Sequence, residues 1–160
     1  MNNLVLIGFM GSGKSSVGRI LAQKTARYFL DADALIESAT NMKIADIFAN
    51  GGEALFRAYE RDLAAWLARS VSSAVISTGG GMIVSCGNLR AIGEIIYLKC
   101  DFETIAKRLK GEAEREKRPL AASIETLRDR FLQREAVYES NADRVIDANQ
   151  SLGTVLEAIG

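Results

Sequence analysis

The sequence predicts an α/β fold, a three-layer α/β/α sandwich on a five-stranded parallel sheet, in one domain over residues 1–160. Three observations carry this. Short apolar runs alternate with longer stretches of helical spacing. The first run passes straight into a glycine-rich turn that opens a helix. Neither an internal repeat nor a low-complexity linker divides the chain.

In order, Leu4-Val5-Leu6-Ile7 reads as a fully buried strand, and residues 14–26 as the helix after the glycine turn. Tyr28-Phe29-Leu30 reads as a second buried strand. Residues 53–69 place Phe56, Tyr59, Leu63 and Trp66 at helical spacing. Ala74-Val75-Ile76-Ser77 and Ile95-Ile96-Tyr97-Leu98 supply two more buried strands. Asp101 is placed to cap a helix over 101–110, and Ser123 one over 123–139, with Ile124, Leu127, Phe131 and Leu132 along one stripe. Val145-Ile146 is the fifth buried strand, and a helix from Thr154 to Ile159 closes the sequence. Residues 110–118 carry charge nearly throughout and have no apolar face to bury.

Composition removes several mechanisms. Of 160 residues none is histidine, so a Ser-His-Asp or Cys-His nucleophile, a His-ligated zinc and an imidazole shuttle are excluded. Twenty basic residues balance 20 acidic ones. That zero net charge argues against a general partner role for nucleic acid or a membrane surface. Residues 1–3 carry no basic segment and the apolar run after them is too short for a signal peptide or membrane span. Cys86 and Cys100 have no metal-binding spacing and read as buried free thiols. A cytoplasmic monomer is the expectation.

The segment Gly8-Phe9-Met10-Gly11-Ser12-Gly13-Lys14-Ser15 fits G-x-x-x-x-G-K-[ST] at every fixed position, between a buried strand and a helix. Glycines without Cβ atoms let successive backbone N–H groups turn inward on phosphate oxygens, and the helix directs its positive end at the same point. Lys14 is expected on the β- and γ-phosphates and the Ser15 hydroxyl on Mg²⁺. The motif predicts a nucleoside triphosphate, ATP or GTP. A GTP switch needs Asn-Lys-x-Asp and Asp-x-x-Gly, both missing from the sequence. A motor ATPase needs an apolar strand ending in an acid, whereas the strand at 74–78 runs into Gly79-Gly80-Gly81. A small-molecule kinase remains.

Such a kinase needs an acceptor site beyond the carboxyl ends of the strands. The second strand ends in Asp31-Ala32-Asp33. Read as extended chain, it points one carboxylate at a metal and the other at an acceptor hydroxyl. Gly79, Gly80 and Gly81 suit close approach of backbone to a ligand, or a plain flexible turn. Arg57 and Glu60 share a helix face, and from spacing alone a structural ion pair is as good a reading as a ligand contact. Arg134, with acidic neighbours, reads by itself as a surface residue.

The segments 8–16, Asp31-x-Asp33, Gly52-Glu53-x-x-Phe56-Arg57-x-x-Glu60, Ser77-Thr78-Gly79-Gly80-Gly81, Arg118-Pro119-Leu120 and Arg134-x-x-x-Tyr138 occur in that order. Together they resemble the bacterial shikimate kinases, over about residues 4–150. The resemblance implies the nucleoside-monophosphate-kinase-like type of P-loop fold. It also implies transfer of a phosphoryl group from ATP to the 3-hydroxyl of shikimate, on the route to chorismate and aromatic amino acids. By this resemblance Asp33 accepts the hydroxyl proton, Lys14 and Arg118 act on the transferring phosphoryl group, and Arg57 and Arg134 clamp the shikimate carboxylate. Gly80, between Gly79 and Gly81, offers backbone to a substrate hydroxyl. Gly11, Ser12, Gly13, Lys14, Ser15 and Ser16 hold the nucleotide, with Arg108 against adenine. Ser15 binds Mg²⁺ directly and Asp31 through water. Residues 110–122 form a mobile lid and about 33–61 an acceptor-binding helical region. Two positions depart from the family pattern. Ala121 stands where a second Leu is common, and the loop 147–151 lacks the proline and arginine of several members, which leaves it outside the expected site.

Overall fold

A computed structural model describes residues 2–116 and 123–160, with the backbone alone for 113–116. Arg118, the 117–122 part of the expected lid and Ala121 lie outside the described residues.

Five strands, β1 (Asn3–Ile7), β2 (Tyr28–Asp31), β3 (Ala74–Ser77), β4 (Gly93–Lys99) and β5 (Arg144–Asp147), form one sheet in the order β2-β3-β1-β4-β5, parallel throughout. The central strand β1 is buried at all five positions, and Val5, Leu6 and Ile7 have no exposed surface. Each such side chain stabilises the fold by about 1.5–3 kcal/mol relative to exposure. The edges differ from expectation. Tyr28 on β2 is 83% exposed and Val145 on β5 50%, because each edge strand has a neighbour on one side only. Buried Asn3 sets the alignment at the amino end of the sheet. Its amide donates to Val71 O (2.8 Å) and Ile92 O (2.9 Å), and its carbonyl accepts from Ala74 N (3.0 Å), tying β1 to the starts of β3 and β4.

Seven helices cover the sheet among the described residues: α1 (Lys14–Lys24), α2 (Ala32–Thr40), α3 (Ile44–Ser70), α4 (Met82–Cys86), α5 (Phe102–Glu116), α6 (Ile124–Asn141) and α7 (Leu152–Ile159). Helix α1 packs on β2 and β3 and against α7, while α4 joins α3 to α6, which lies on β4 beside α5. This is the expected three-layer arrangement. Asp101 caps α5 through Thr104 N (2.7 Å), and Ser123 caps α6 through Thr126 N (3.2 Å).

Two helices escaped the sequence reading. Helix α2 starts on Ala32, directly after β2, and α4 has only five residues, too few to show a period. The helix expected from 53 is the second part of α3. Gly52 at φ 65° breaks α3 there, and an earlier segment begins at Ile44. Residues 110–116, expected in a lid, continue α5. On α6 only Leu127 and Phe131 of the expected stripe are buried; Ile124 is exposed and Leu132 is 60% exposed, facing outward beside β5. Trp66 is likewise exposed, and of the two thiols only Cys100 is fully buried. No described helix is long and apolar enough to cross a membrane.

Candidate active site

The carboxyl ends of β1, β2 and β3 meet the amino ends of α1, α2 and α4. The loop leaving β1 turns through three glycines with positive φ, Gly8 (144°), Gly11 (78°) and Gly13 (94°), the last being the N-cap of α1. A side chain is strained at such angles, so composition and conformation agree here. Lys14 opens α1 and is buried, its ammonium donating to Gly8 O (2.8 Å) and Phe9 O (2.9 Å). Desolvation lowers its pKa to about 8, against the attraction of Asp33 and Asp31. Ser12 Oγ is buried on the same loop with no partner among the described residues.

Asp31 and Asp33 do not lie in extended chain. Asp31 is the last residue of β2 and the N-cap of α2. Its Oδ1 accepts from Asp33 N (3.1 Å) and Ala34 N (3.3 Å), while its Oδ2 accepts from Ser15 Oγ (3.2 Å). Capping thus turns Asp31 toward Ser15 and sets Asp33 in the first helical turn. Asp33 Oδ1 is buried with no partner among the described residues. Burial first, then the charges of Asp31 and Glu60, push its pKa up to about 6, with Lys14 pulling the other way.

Gly79, Gly80 and Gly81 serve space rather than conformation, since none has positive φ. A Cβ on Gly79 would stand 2.8 Å from Asp33 Oδ1 and 3.3 Å from Glu60 Oε1; one on Gly81 would stand 2.5 Å from Arg57 Nη1. The backbone is approached by protein side chains, which neither sequence reading of this run anticipated. Gly80 O accepts a short hydrogen bond from the Tyr138 hydroxyl.

Arg57 and Glu60 do form an ion pair, Nη1 to Oε2 at 2.7 Å, with Glu60 only 1% exposed. Arg57 also donates to exposed Glu53 through Nε (3.1 Å) and Nη2 (2.8 Å). Glu60 Oε2 accepts in addition from Ser85 Oγ (2.6 Å), and its Oε1 has no partner among the described residues. Arg134 lies one turn before Tyr138, whose pKa burial pushes up to about 12 while Arg134 and Arg57 both pull it down. Both arginines are thus close enough for their charges to be felt at this phenol.

A cavity of about 260 Å³ joins Lys14, Ser15, Asp31, Asp33, Gly79 and Gly80. Sharing Gly11, Gly13 and Ser16 with it is a second cavity of about 200 Å³, bounded by Arg108, Ala148, Gln150, Leu152 and Val155. Arg108 bridges its two walls, donating to Gly11 O (3.3 Å) and Ala148 O (2.9 Å). The loop 147–151, which the sequence left outside the site, thus forms one side of it. A larger cavity of about 420 Å³ between α2 and α3 is mostly apolar and has only Asp62 as a charged lining residue, nothing suited to phosphates.

The site residues missed from sequence are Ser85 and Tyr138 as partners, and the loop backbone at Ala148. Only Tyr138 had a signal, four residues after Arg134 on one helical face.

A family model described as shikimate kinase matches residues 10–159. The chain is 40% identical over 151 residues to a shikimate kinase of Helicobacter hepaticus, covering 94% of this chain and 89% of that one. It is also 40% identical over 162 residues to a shikimate kinase of Pelotomaculum thermopropionicum, at 99% and 94% coverage. Among solved structures, a shikimate kinase from Acinetobacter baumannii in complex with shikimate superposes with a TM-score of 0.86 at 34% identity, covering 99% of this chain and 90% of that one. Matched by that family model over most of its length and 40% identical to relatives across nearly all of it, this chain belongs to the shikimate kinase family.

Proposed function

We propose that the protein transfers the γ-phosphoryl group of ATP to the 3-hydroxyl of shikimate, giving shikimate 3-phosphate and ADP. The observation that carries this reading is Asp33. Its Oδ1 is buried with no partner among the described residues, and its carboxylate, with a pKa near 6, belongs to a residue lining the cavity that also holds Lys14. A hydroxyl donating to that oxygen satisfies it, and a carboxylate poised near neutrality takes up the proton as the new O–P bond forms and the bond to ADP breaks.

The phosphates lie on the backbone of Gly11, Ser12 and Gly13, with Ser16 beyond. Lys14 moves its ammonium from Gly8 O and Phe9 O to the phosphoryl oxygens, where negative charge restores its ordinary protonation. Adenine enters the smaller cavity against Arg108. Arg118 acts from the lid, outside the described residues. On the acceptor side, the region 33–61 brings Arg57 to Gly81, and Arg57 with Arg134 takes the shikimate carboxylate. A guanidinium fork suits that planar group better than an ammonium does. Gly80, flanked by Gly79 and Gly81, presents backbone to a hydroxyl.

Mg²⁺ fits the donors present. Ser15 Oγ and Asp31 Oδ2 are hard oxygens 3.2 Å apart, and no described group of three acids, cysteines or histidines could hold a metal alone. An ion that keeps several waters and takes the rest of its ligands from phosphate matches this sparse set. When bound it neutralises phosphate charge. We place the protein in the cytoplasm as a monomer.

A coupled ADP-release assay offering shikimate, gluconate and nucleoside monophosphates in turn, with ATP and Mg²⁺, tests the reading. Turnover is expected with shikimate alone. Turnover with gluconate or a nucleotide but not shikimate overturns it, as does tight ATP binding without any turnover.

A further inference from the structure

Ser85, on the short helix after the three glycines, has no part in the assignments above. It belongs to a chain of contacts that ends on Arg57. A carboxylate buried as deeply as Glu60 is costly unless its charge is paired and its lone pairs are filled. Its Oε2 has two donors, Arg57 Nη1 at 2.7 Å and Ser85 Oγ at 2.6 Å. The serine hydroxyl also lies 3.1 Å from Met82 O, but it has one hydrogen to give, and the shorter contact to a charged acceptor takes it.

The geometry at Arg57 makes this consequential. Of its five N–H groups, the one on Nε and one on Nη2 go to Glu53, and one on Nη1 goes to Glu60. Among the described residues one N–H therefore remains on each Nη nitrogen, and the guanidinium that carries them lies beside the bare backbone of Gly81. Glu53 is largely exposed and free to swing, so it cannot hold that end in place. Glu60 is the fixed point, and what fixes Glu60 is α4, through Ser85. The same segment thus meets the guanidinium twice, through the bare backbone of Gly81 and through Ser85 by way of Glu60.

We propose that Ser85 is a positioning residue for the acceptor site: its hydroxyl ties Glu60 to α4 and so holds the two remaining N–H groups of Arg57 in line with the acceptor carboxylate. The proposal rests on the reading of Arg57 as a carboxylate clamp.

Steady-state kinetics of Ser85→Ala, Ser85→Thr and Ser85→Cys, with shikimate and with its carboxamide as acceptors, tests it. Loss of a hydrogen bond to a charged group predicts about a tenfold rise in KM for shikimate in Ser85→Ala. The KM for ATP and the kcat stay near wild type, and the carboxamide, which lacks the charge, is scarcely affected. Ser85→Thr, which keeps the hydroxyl, restores the shikimate KM, and Ser85→Cys, a weaker donor of similar volume, falls between and serves if Ser85→Ala does not fold. An unchanged shikimate KM, or equal losses for acid, amide and ATP, overturns the role of Ser85 while leaving the clamp standing. Wild-type enzyme that discriminates no better between acid and amide than Arg57→Lys overturns the clamp and this proposal together.

Discussion

The two glycine clusters of this protein sit on the same end of one sheet and do opposite jobs. In the loop after β1, Gly8, Gly11 and Gly13 all take positive φ, and the groups we propose for the phosphates are backbone amides and the positive end of α1. After β3, Gly79 to Gly81 have ordinary backbone angles, and the missing Cβ atoms leave room for Asp33 and Arg57. The proposed phosphate end is thus built around the main chain of one continuous segment, with the Lys14 and Ser15 side chains at its close. The proposed acceptor end draws side chains from four segments: Asp33 on α2, Arg57 and Glu60 on α3, Ser85 on α4, and Arg134 and Tyr138 on α6. Phosphate is common to every nucleotide and is served by a generic cradle, whereas an acceptor must be told from other small alcohols, which takes side-chain chemistry.

Variants can break this contrast. The largest effect is expected for Asp33→Asn, which removes the proton acceptor and should lower kcat by roughly 10³-fold with ATP affinity nearly intact; unchanged kcat takes Asp33 out of the chemistry. The same variant has a stability signature. The native pKa lies above the ordinary aspartate value near 3.8, so the folded state binds more protons between about pH 4 and 6 and wild-type stability falls as pH rises through that window. Above it, Asp33→Asn should melt about 2–4 °C higher than wild type.

Next comes a pair. Gly81→Ala should raise the shikimate KM by up to about 10²-fold by displacing Arg57, and leave nucleotide binding alone. Gly13→Ala, strained at φ 94°, should weaken nucleotide binding about tenfold and leave acceptor affinity alone. Equal effects of both variants on both ligands would erase the distinction between space and conformation. Arg57→Lys, which replaces a fork with a point charge, should raise the shikimate KM about tenfold with a smaller change in kcat.

The smallest effects separate the two ends by pH. The free enzyme's kcat/KM should fall as pH drops through about 6, where Asp33 becomes protonated. ATP affinity should fall as pH rises past about 8, where Lys14 loses its charge. In Asp33→Asn the acid limb should vanish from whatever activity remains while the alkaline loss of nucleotide affinity persists. Loss of both limbs together would mean that the two groups titrate as one unit.

The parts legible in the sequence are those whose cause is local. The phosphate loop could be read because turn, helix start, lysine and hydroxyl are contiguous and the glycines are required by backbone angles alone. The five strands could be placed because each is a run of apolar residues. How deeply Tyr28 and Val145 are buried could not, since an edge strand and a central strand look alike until their neighbours are known. The carboxylates of Asp31 and Asp33 were found, but their geometry was not, because α2 starts on the residue after β2 and leaves no turn in the sequence to mark the change.

By itself, then, the sequence determined the α/β class, the strand positions, the phosphate cradle and, through resemblance of ordered motifs, the family. Tertiary structure alone decided which carboxylate faces Ser15, why three glycines stand together after β3, that Glu60 is buried, and that Ser85 donates to Glu60 and Tyr138 to Gly80 O. The physical reason is range. Backbone angles and apolar periods are set between near neighbours, whereas the charge state of Asp33 and the aim of Arg57 depend on groups brought from distant segments into one half-buried place.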